Sequence, residues 1–143
     1  MKELRLSLIS KWFEITQKLI KKEDYRNITP YWCNRFILVY GQVMSKKWWE
    51  LNFMRDGERV LTWIIDNIAM GNFTFKPFTH NIMTLGYPSN SEVNKFKKFE
   101  HAGIEIGYGK EEWGAEPNKL YFIIKHGKQL IEIELDKEVQ DGN

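Results

Sequence analysis

The sequence predicts an α+β fold in which an antiparallel sheet curls toward a barrel, with flanking helices and a helical insertion. Three observations predict it. The apolar pattern runs strand, helix, strand and helices, before several strand patterns succeed one another. The second half has no regular alternation of strands and helices, which parallel βαβ units require. The length of 143 residues suits one domain with one core, which we assign to residues 1–143.

The first predicted elements are a strand and a short helix. Apolar and polar residues alternate through residues 4–9, as in a strand with one buried face. Ser10 is a predicted N-cap for a helix that runs to about Lys21. Residues 24–28 predict a second strand. Pro30, which follows a threonine, predicts the start of a further short helix or turn, because proline is favoured at the first helical position.

Residues 45–70 show the clearest helical pattern. Apolar residues recur there on one helical stripe, namely Val60, Leu61, Ile64, Ile65, Ile68 and Ala69. The Asp56-Gly57 pair predicts a break between two helices, with a β-hairpin as the second choice. Gly71 is expected to end the second helix. We interpret the block at about 41–74 as a helical insertion.

Strand patterns dominate the rest of the chain. The candidate strands are residues 76–87, 95–109, 120–125 and 129–135. The last two are separated by His126-Gly127, which predicts an antiparallel hairpin. The polar tail at 136–143 is expected to fray.

Composition narrows the classes of function. The single cysteine, Cys33, excludes an intrachain disulfide and a cysteine-cluster zinc site, and we expect it to be a small buried residue. With three scattered histidines, neither a metal nor a cofactor is expected. No apolar run reaches the roughly 18 residues that span a bilayer, and no signal-peptide pattern is visible. We therefore expect a cytoplasmic protein with no membrane partner.

The net charge of +2 hides an asymmetry along the chain. Residues 1–47 hold ten Lys/Arg against four Asp/Glu, whereas residues 48–143 hold eleven against fifteen. The basic first third favours anionic partners. The near-neutral whole argues against strong nonspecific binding to nucleic acid, which depends on many phosphate contacts.

Polar and aromatic residues are concentrated between residues 19 and 32, and five residues of this stretch, with one arginine just beyond it, are candidate ligand-binding residues. They are Lys21, Asp24, Arg26, Tyr31, Trp32 and Arg35. Strand alternation places Asp24 and Arg26 on one face of the strand. There the guanidinium group of the arginine can donate two hydrogen bonds to a phosphate or a base edge. The alternatives are a solvated helix-end lysine, a surface ion pair and simple packing of the short helix.

The segment LIKKEDYR, residues 19–26, resembles the signature strand of the ASCH domain, a PUA-like β-barrel family with the usual pattern Gly-x-Lys-x-x-Glu-x-Arg. Lys21 and Arg26 match this pattern. Asp24 stands in place of the glutamate and Leu19 in place of the glycine. The segments YRNITPYW and GIEIGYGKEEWGAEPNKLYFIIKHGK are similar to ASCH-type proteins of bacteriophages and their hosts.

The resemblance implies a barrel with a cleft beside the signature strand that binds RNA or a modified nucleoside or nucleotide. A bacterial branch of the family hydrolyses N4-acetylcytidine with a lysine, a threonine and a glutamate. Lys21 corresponds to that lysine and Asp24 to the position of that threonine, so these two are the implied catalytic candidates. The glutamate has no assigned position in this sequence.

Three hypotheses about function follow. The first is a module that binds RNA or a nucleotide-derived small molecule. The second is an enzyme, either an amidohydrolase acting on a modified nucleoside or a ribonuclease. The third is a protein-interaction module that uses the aromatic residues Trp48, Trp49, Phe53 and Trp63 of the insertion. The simpler alternative for that insertion is a helical cap over one face of the barrel.

Overall fold

The computed structural model describes residues 3–17, 21–89 and 91–130. The elements in chain order are β1 (Glu3–Leu8), α1 (Ser10–Gln17), β2 (Glu23–Arg26), α2 (Pro30–Phe36), β3 (Ile37–Val39), α3 (Lys46–Asp56), α4 (Val60–Ala69), β4 (Phe73–Phe75), β5 (His80–Leu85), β6 (Phe96–Tyr108) and β7 (Leu120–Gln129). Short 3₁₀ turns lie at Gly57–Arg59, Val93–Lys95 and Glu111–Trp113.

Within the described residues, five strands form one sheet in the order β1-β5-β6-β7-β2, and β3 pairs with β4 in a separate antiparallel ribbon. The predicted α+β class is confirmed, and the sheet is curled. The prediction of a purely antiparallel sheet was wrong, because β1 and β5 are parallel, with Glu3 opposite His80 and Leu8 opposite Leu85. The long connection between these two strands satisfies what a parallel pair requires.

The chain divides into two compact units. The first unit comprises Met1–Asp24, Pro77–Gly103 and Lys125–Asn143, and the second comprises Tyr25–Lys76 and Ile104–Ile124. We describe each unit by itself.

The core of the first unit begins with the alternation along β1. Leu4 and Leu6 have no exposed surface and Leu8 is 6% exposed, whereas Glu3 and Arg5, on the opposite face, are exposed to solvent. Fully burying one such leucine contributes about 1.5–3 kcal/mol. Because the side-chain period of a strand is two, the order of apolar residues alone decides which face of β1 is covered.

The core of the second unit is aromatic. Trp49 on α3 is fully buried and lies with its ring centroid 5.6 Å from that of Phe73 on β4. Trp63 on α4 meets the same phenylalanine edge to face at 5.2 Å. Rings at these distances add roughly 0.5–1.5 kcal/mol per pair beyond the burial of their area.

The break between the two long helices is confirmed. α3 ends at Asp56 and α4 begins at Val60, with a 3₁₀ turn between them, so the hairpin alternative was wrong. Gly57 has φ +53°, a conformation that glycine adopts at little cost. Gly71, with φ +81°, follows α4 as predicted.

The predicted hairpin at His126-Gly127 was wrong, because β7 continues through both residues to Gln129. The amide nitrogen of His126 donates a hydrogen bond of 2.9 Å to the carbonyl oxygen of Lys22, which keeps this part of the strand paired. A Cβ at Gly127 would lie 3.2 Å from Cβ of Glu100, so the missing side chain serves close strand packing rather than a turn. Residues 131–143, which include most of the last predicted strand and its tail, lie outside the described residues.

α1 is described as far as Gln17; residues 18–20, beside its predicted end, lie outside the described residues, and Lys21 is not helical. The short helix α2 ends at Phe36, and Ile37–Val39 forms a strand because it pairs with β4. In the described part of the chain, no helix is long and apolar enough to cross a bilayer.

Candidate functional site

The six candidate residues divide between the two units. The first unit holds Lys21 and Asp24. The second holds the group that we call the arginine–aromatic cluster, which consists of Arg26, Tyr31, Trp32 and Arg35. The two groups are therefore described separately.

Lys21 and Asp24 form a buried ion pair. The side chains are 3% and 1% exposed, and Lys21 Nζ donates to Asp24 Oδ1. The alternative of a solvated helix-end lysine was therefore wrong. Lys21 Nζ also lies 5.4 Å from the ring centroid of Trp12, which shields the ammonium on a further side. A charge this deeply buried needs such compensation, because removing it from water costs several kcal/mol.

The second oxygen of Asp24 has a different partner. Oδ2 lies 2.6 Å from Nε2 of His126, a buried residue of β7. Burial by itself raises the pKa of the Asp24 carboxyl, but the hydrogen bond from His126 and the charge of Lys21 together outweigh it. The pKa consequently lies below its ordinary value. The group at the centre of this site is therefore a carboxylate, fully ionised at neutral pH.

The hydrogen bonds continue from His126 to the surface of the first unit. His126 Nδ1 lies 2.8 Å from Nδ2 of Asn81, which has no exposed surface, and Asn81 Oδ1 lies 2.6 Å from Nδ1 of His101. Asn81 Nδ2 also donates to the carbonyl oxygen of Lys125 at 3.1 Å. We refer to Asp24, His126, Asn81 and His101 as the polar chain.

Sequence reasoning missed three members of the polar chain. Asn81, His101 and His126 lie on β5, β6 and β7, far apart in sequence, and only strand pairing brings them together. The available signal was weak: His126 continues the alternation of β7, with a buried histidine where the sequence analysis placed a turn.

The arginine–aromatic cluster of the second unit is organised around the indole of Trp32. Phe36 stacks on it at 5.2 Å with an interplanar angle of 25°. The guanidinium carbons of Arg26 and Arg35 lie 5.2 Å and 5.8 Å from its centroid, within the range of cation–π attraction. Two positive groups are therefore held beside one half-buried ring.

Tyr31 forms the exposed edge of the cluster. It is 45% exposed and meets Trp32 edge to face at 4.9 Å. Arg35 Nη1 donates to its hydroxyl oxygen at 3.3 Å, as the i,i+4 spacing on α2 allows. The cluster depends on where α2 begins, and that position is set by Thr29, whose hydroxyl oxygen accepts a hydrogen bond from the amide of Trp32.

A cleft of about 540 Å³ lies in the same unit. Its lining residues are Asn27, Ile28, Val60, Leu61, Tyr108, Asn118, Lys119 and Leu120. The lining combines four aliphatic side chains with two amides, a phenol and an ammonium. Two of the lining residues, Asn27 and Ile28, directly follow Arg26 in the chain, so the cleft begins one peptide away from a member of the cluster.

The segment after β6 is tightly fitted. A Cβ on Gly109 would lie 2.6 Å from Cβ of Ala115 and 2.7 Å from the ring of Tyr25. The hydroxyl oxygen of Tyr25 accepts a hydrogen bond of 2.9 Å from the amide of Lys110. This glycine therefore permits a close approach of the neighbouring side chains. Lys110 Nζ lies over the ring of Trp113, 4.3 Å from the ring centroid.

Neither the cysteine nor a metal site adds a reactive centre within the described residues. Cys33 is fully buried, as predicted, and burial raises the pKa of its thiol, so the nucleophilic thiolate is disfavoured. Among residues 3–17, 21–89 and 91–130, no three His, Cys, Asp or Glu side chains are grouped as a metal site.

Comparison with protein-family models, curated proteins and solved structures finds no match to this chain. The resemblance to the ASCH domain therefore rests on the motif residues and the two similar segments of the sequence.

Proposed function

We propose that the second unit binds nucleotides or short single-stranded RNA through the arginine–aromatic cluster and the adjoining cleft. The observation that carries the proposal is the pair of guanidinium groups held beside Trp32, next to the exposed Tyr31. We further propose that the curled sheet is a PUA-like barrel of the ASCH type. Arg26, a residue of the cluster, is also one of the two exact matches to the ASCH motif.

The phosphate would be recognised by the two arginines. A guanidinium offers a planar fork of donors that matches two phosphate oxygens, and it stays charged at any physiological pH. The rings beside them restrict the guanidinium groups to a narrow range of positions, which lowers the entropy lost on binding. Charge-assisted hydrogen bonds of this kind contribute about 1.5–3 kcal/mol each.

The base would be recognised by stacking and by the cleft. Tyr31 offers an exposed aromatic side chain, and stacking a base on such a ring contributes roughly 1–3 kcal/mol. The cleft volume of about 540 Å³ lies within the usual range of roughly 300–1,000 Å³ for small-molecule sites. Its aliphatic wall suits the face of a base, and Asn27 and Asn118 offer amide groups for the base edge.

Lys21 and Asp24 support the fold in this proposal rather than contacting the ligand. Both are nearly completely buried and are paired with each other, which favours neither nucleophilic attack nor proton transfer to a substrate. No observation therefore favours an amidohydrolase or a ribonuclease over a binding module. The protein-interaction hypothesis is also weakened, because Trp48, Trp49 and Trp63 pack against one another.

The proposal is tested with a fluorescently labelled single-stranded RNA of ten nucleotides, titrated by anisotropy at low salt. Arg35→Ala should weaken binding about 10- to 100-fold, the equivalent of one charge-assisted hydrogen bond. The matched control is Arg55→Ala, which removes the same charge from an arginine that also lies over a tryptophan, Trp63. Equal losses in both variants, or no binding to RNA or 5′-nucleotides by the unmodified protein, would reject the proposal.

A further inference from the structure

In the polar chain of the first unit, hydrogen-bond chemistry determines which group donates and which accepts in each hydrogen bond. Its four side chains are an obligate acceptor at one end, Asp24, and three groups that can each donate and accept, His126, Asn81 and His101. The orientation of the buried amide of Asn81 determines which nitrogen of each imidazole carries a hydrogen.

The backbone carbonyl of Lys125 fixes the orientation of the Asn81 amide. The carbonyl oxygen can only accept, and it lies 3.1 Å from one terminal atom of the Asn81 amide. If the amide were rotated by half a turn, two oxygens would face each other without a proton between them. The amide nitrogen of Asn81 must therefore face Lys125, and its oxygen must face His101.

The protons of both imidazoles follow from this orientation. The second hydrogen of Asn81 Nδ2 points at His126 Nδ1, so His126 carries a lone pair on Nδ1 and donates its Nε2 proton to Asp24. Asn81 Oδ1 accepts from His101, which therefore carries its proton on Nδ1. Every hydrogen bond of the chain thus points from His101 toward Asp24.

His101 is the end of the polar chain opposite Asp24. With the proton of neutral His101 on Nδ1, its Nε2 carries a lone pair, and among the described residues this nitrogen has no hydrogen-bond partner. The side chain is half-buried, with the ring of Phe78 at 5.5 Å and 68°, and burial, with His126 as the second cause, holds the pKa of His101 below its ordinary value. The neutral, accepting form is therefore the one present at neutral pH.

Among the described residues, no carboxylate contributes to the pKa shift of His101, whose causes are burial and the nearby His126. On β6, Lys97 and Phe99 share the face of His101 by strand alternation, and Asn81 faces it from β5. The carboxylate of Asp24 lies beyond His126, where Lys21 compensates its charge.

We propose that His101 is a second functional site, a neutral imidazole that accepts a proton or a hydrogen bond at Nε2 from a hydroxyl or amino group of a bound molecule. A histidine that acts as a general base usually has its other ring nitrogen held in place by a further polar group. Asn81 is the positioning residue, and His126 and Asp24 hold Asn81 in turn. Replacing buried ionic groups by well-packed apolar residues is often neutral or stabilising, so stability alone does not account for this chain. This site is independent of the RNA site proposed for the second unit.

Long-range ¹H–¹⁵N NMR spectra of the imidazole rings, recorded on the intact protein near pH 7.5, test the assignment directly. His101 should show a protonated Nδ1 and a bare Nε2, and His126 should show the opposite tautomer. The reversed tautomers, or a doubly protonated His101, would overturn the proposal whether or not the protein binds RNA.

Reactivity of the Nε2 lone pair tests whether this nitrogen is available to a bound molecule. Diethyl pyrocarbonate should carbethoxylate His101 at Nε2, with the half-maximal rate at a pH below the roughly 6.5 of free histidine. Asn81→Leu should mix the tautomers of His101. An unreactive His101 would contradict the proposal, as would an unchanged tautomer in Asn81→Leu. If that variant does not fold, the spectra and the reactivity of the unmodified protein still decide.

Discussion

Asp24 is the side chain on which the polar contacts of the first unit converge. Its two oxygens face Lys21 and His126, and almost none of its surface reaches solvent. Lys21 and Asp24 are only three residues apart, so their pairing is local in sequence. Their burial was not predictable, because it depends on His126, which strand pairing brings across 102 sequence positions.

Replacing Asp24 by asparagine should destabilise the protein strongly. The ammonium of Lys21 would remain buried without its counter-charge, and breaking a buried pair in this way costs about 3–5 kcal/mol. Urea denaturation measures the loss. Asp56→Asn is the control, because the ion pair of Asp56 with Arg55 lies at the surface and should matter little. A small effect of Asp24→Asn would contradict the compensating role of this carboxylate.

The ionisation of Asp24 also predicts how stability depends on acid. Because the folded-state pKa is lowered, its contribution is fully present above the unfolded value of about 3.9 and is lost as pH falls below it toward the folded pKa. The free energy of unfolding should therefore fall below about pH 4 in the unmodified protein. Asp24→Asn should show a shallower decline, and parallel curves for the two proteins would exclude this assignment.

The short helix α2 shows how one local signal positions several site residues. Thr29 and Pro30 identified its start from sequence alone, because capping and the proline preference act within one turn. The break after Asp56 was predictable for the same reason. The hairpin at His126-Gly127 failed because the dipeptide also suits a strand that packs closely against Glu100, which is a tertiary effect.

Removing the cap of α2 should weaken both stability and binding. Thr29→Ala deletes the acceptor for the amide of Trp32, which should cost about 1 kcal/mol in thermal or urea unfolding. RNA affinity should fall as well, because the first turn carries Tyr31 and Trp32. Thr29→Ser retains the acceptor and should restore both quantities. If the serine variant behaves like the alanine variant, the cap is not what positions these residues.

The whole chain combines a predictable class of fold with an unpredictable arrangement of its sheet. Order and spacing of the apolar patterns identified an α+β fold with a curled sheet. The parallel pairing of β1 with β5 was not foreseeable, because it joins segments separated by nearly half the chain. The predicted site set was likewise divided, since Lys21 and Asp24 belong to one unit and the arginine–aromatic cluster to the other.

The net charge of the whole molecule predicts a weak dependence of RNA binding on salt. The molecule carries only +2, and the proposed site contacts phosphate through two arginines. The logarithm of the binding constant should therefore fall against the logarithm of salt concentration with a slope of about −1.4 for two single-strand phosphates. A slope beyond about −3 would indicate binding by a broad basic surface instead.

The most direct test of RNA binding by the arginine–aromatic cluster is an NMR titration of the arginine side chains. The chain has five arginines, Arg5, Arg26, Arg35, Arg55 and Arg59, each with its own Nε–Hε signal. Addition of a five-nucleotide single-stranded RNA should shift the signals of Arg26 and Arg35 and leave the other three in place. Shifts confined to Arg55 and Arg59, or no shift at all, would contradict the account.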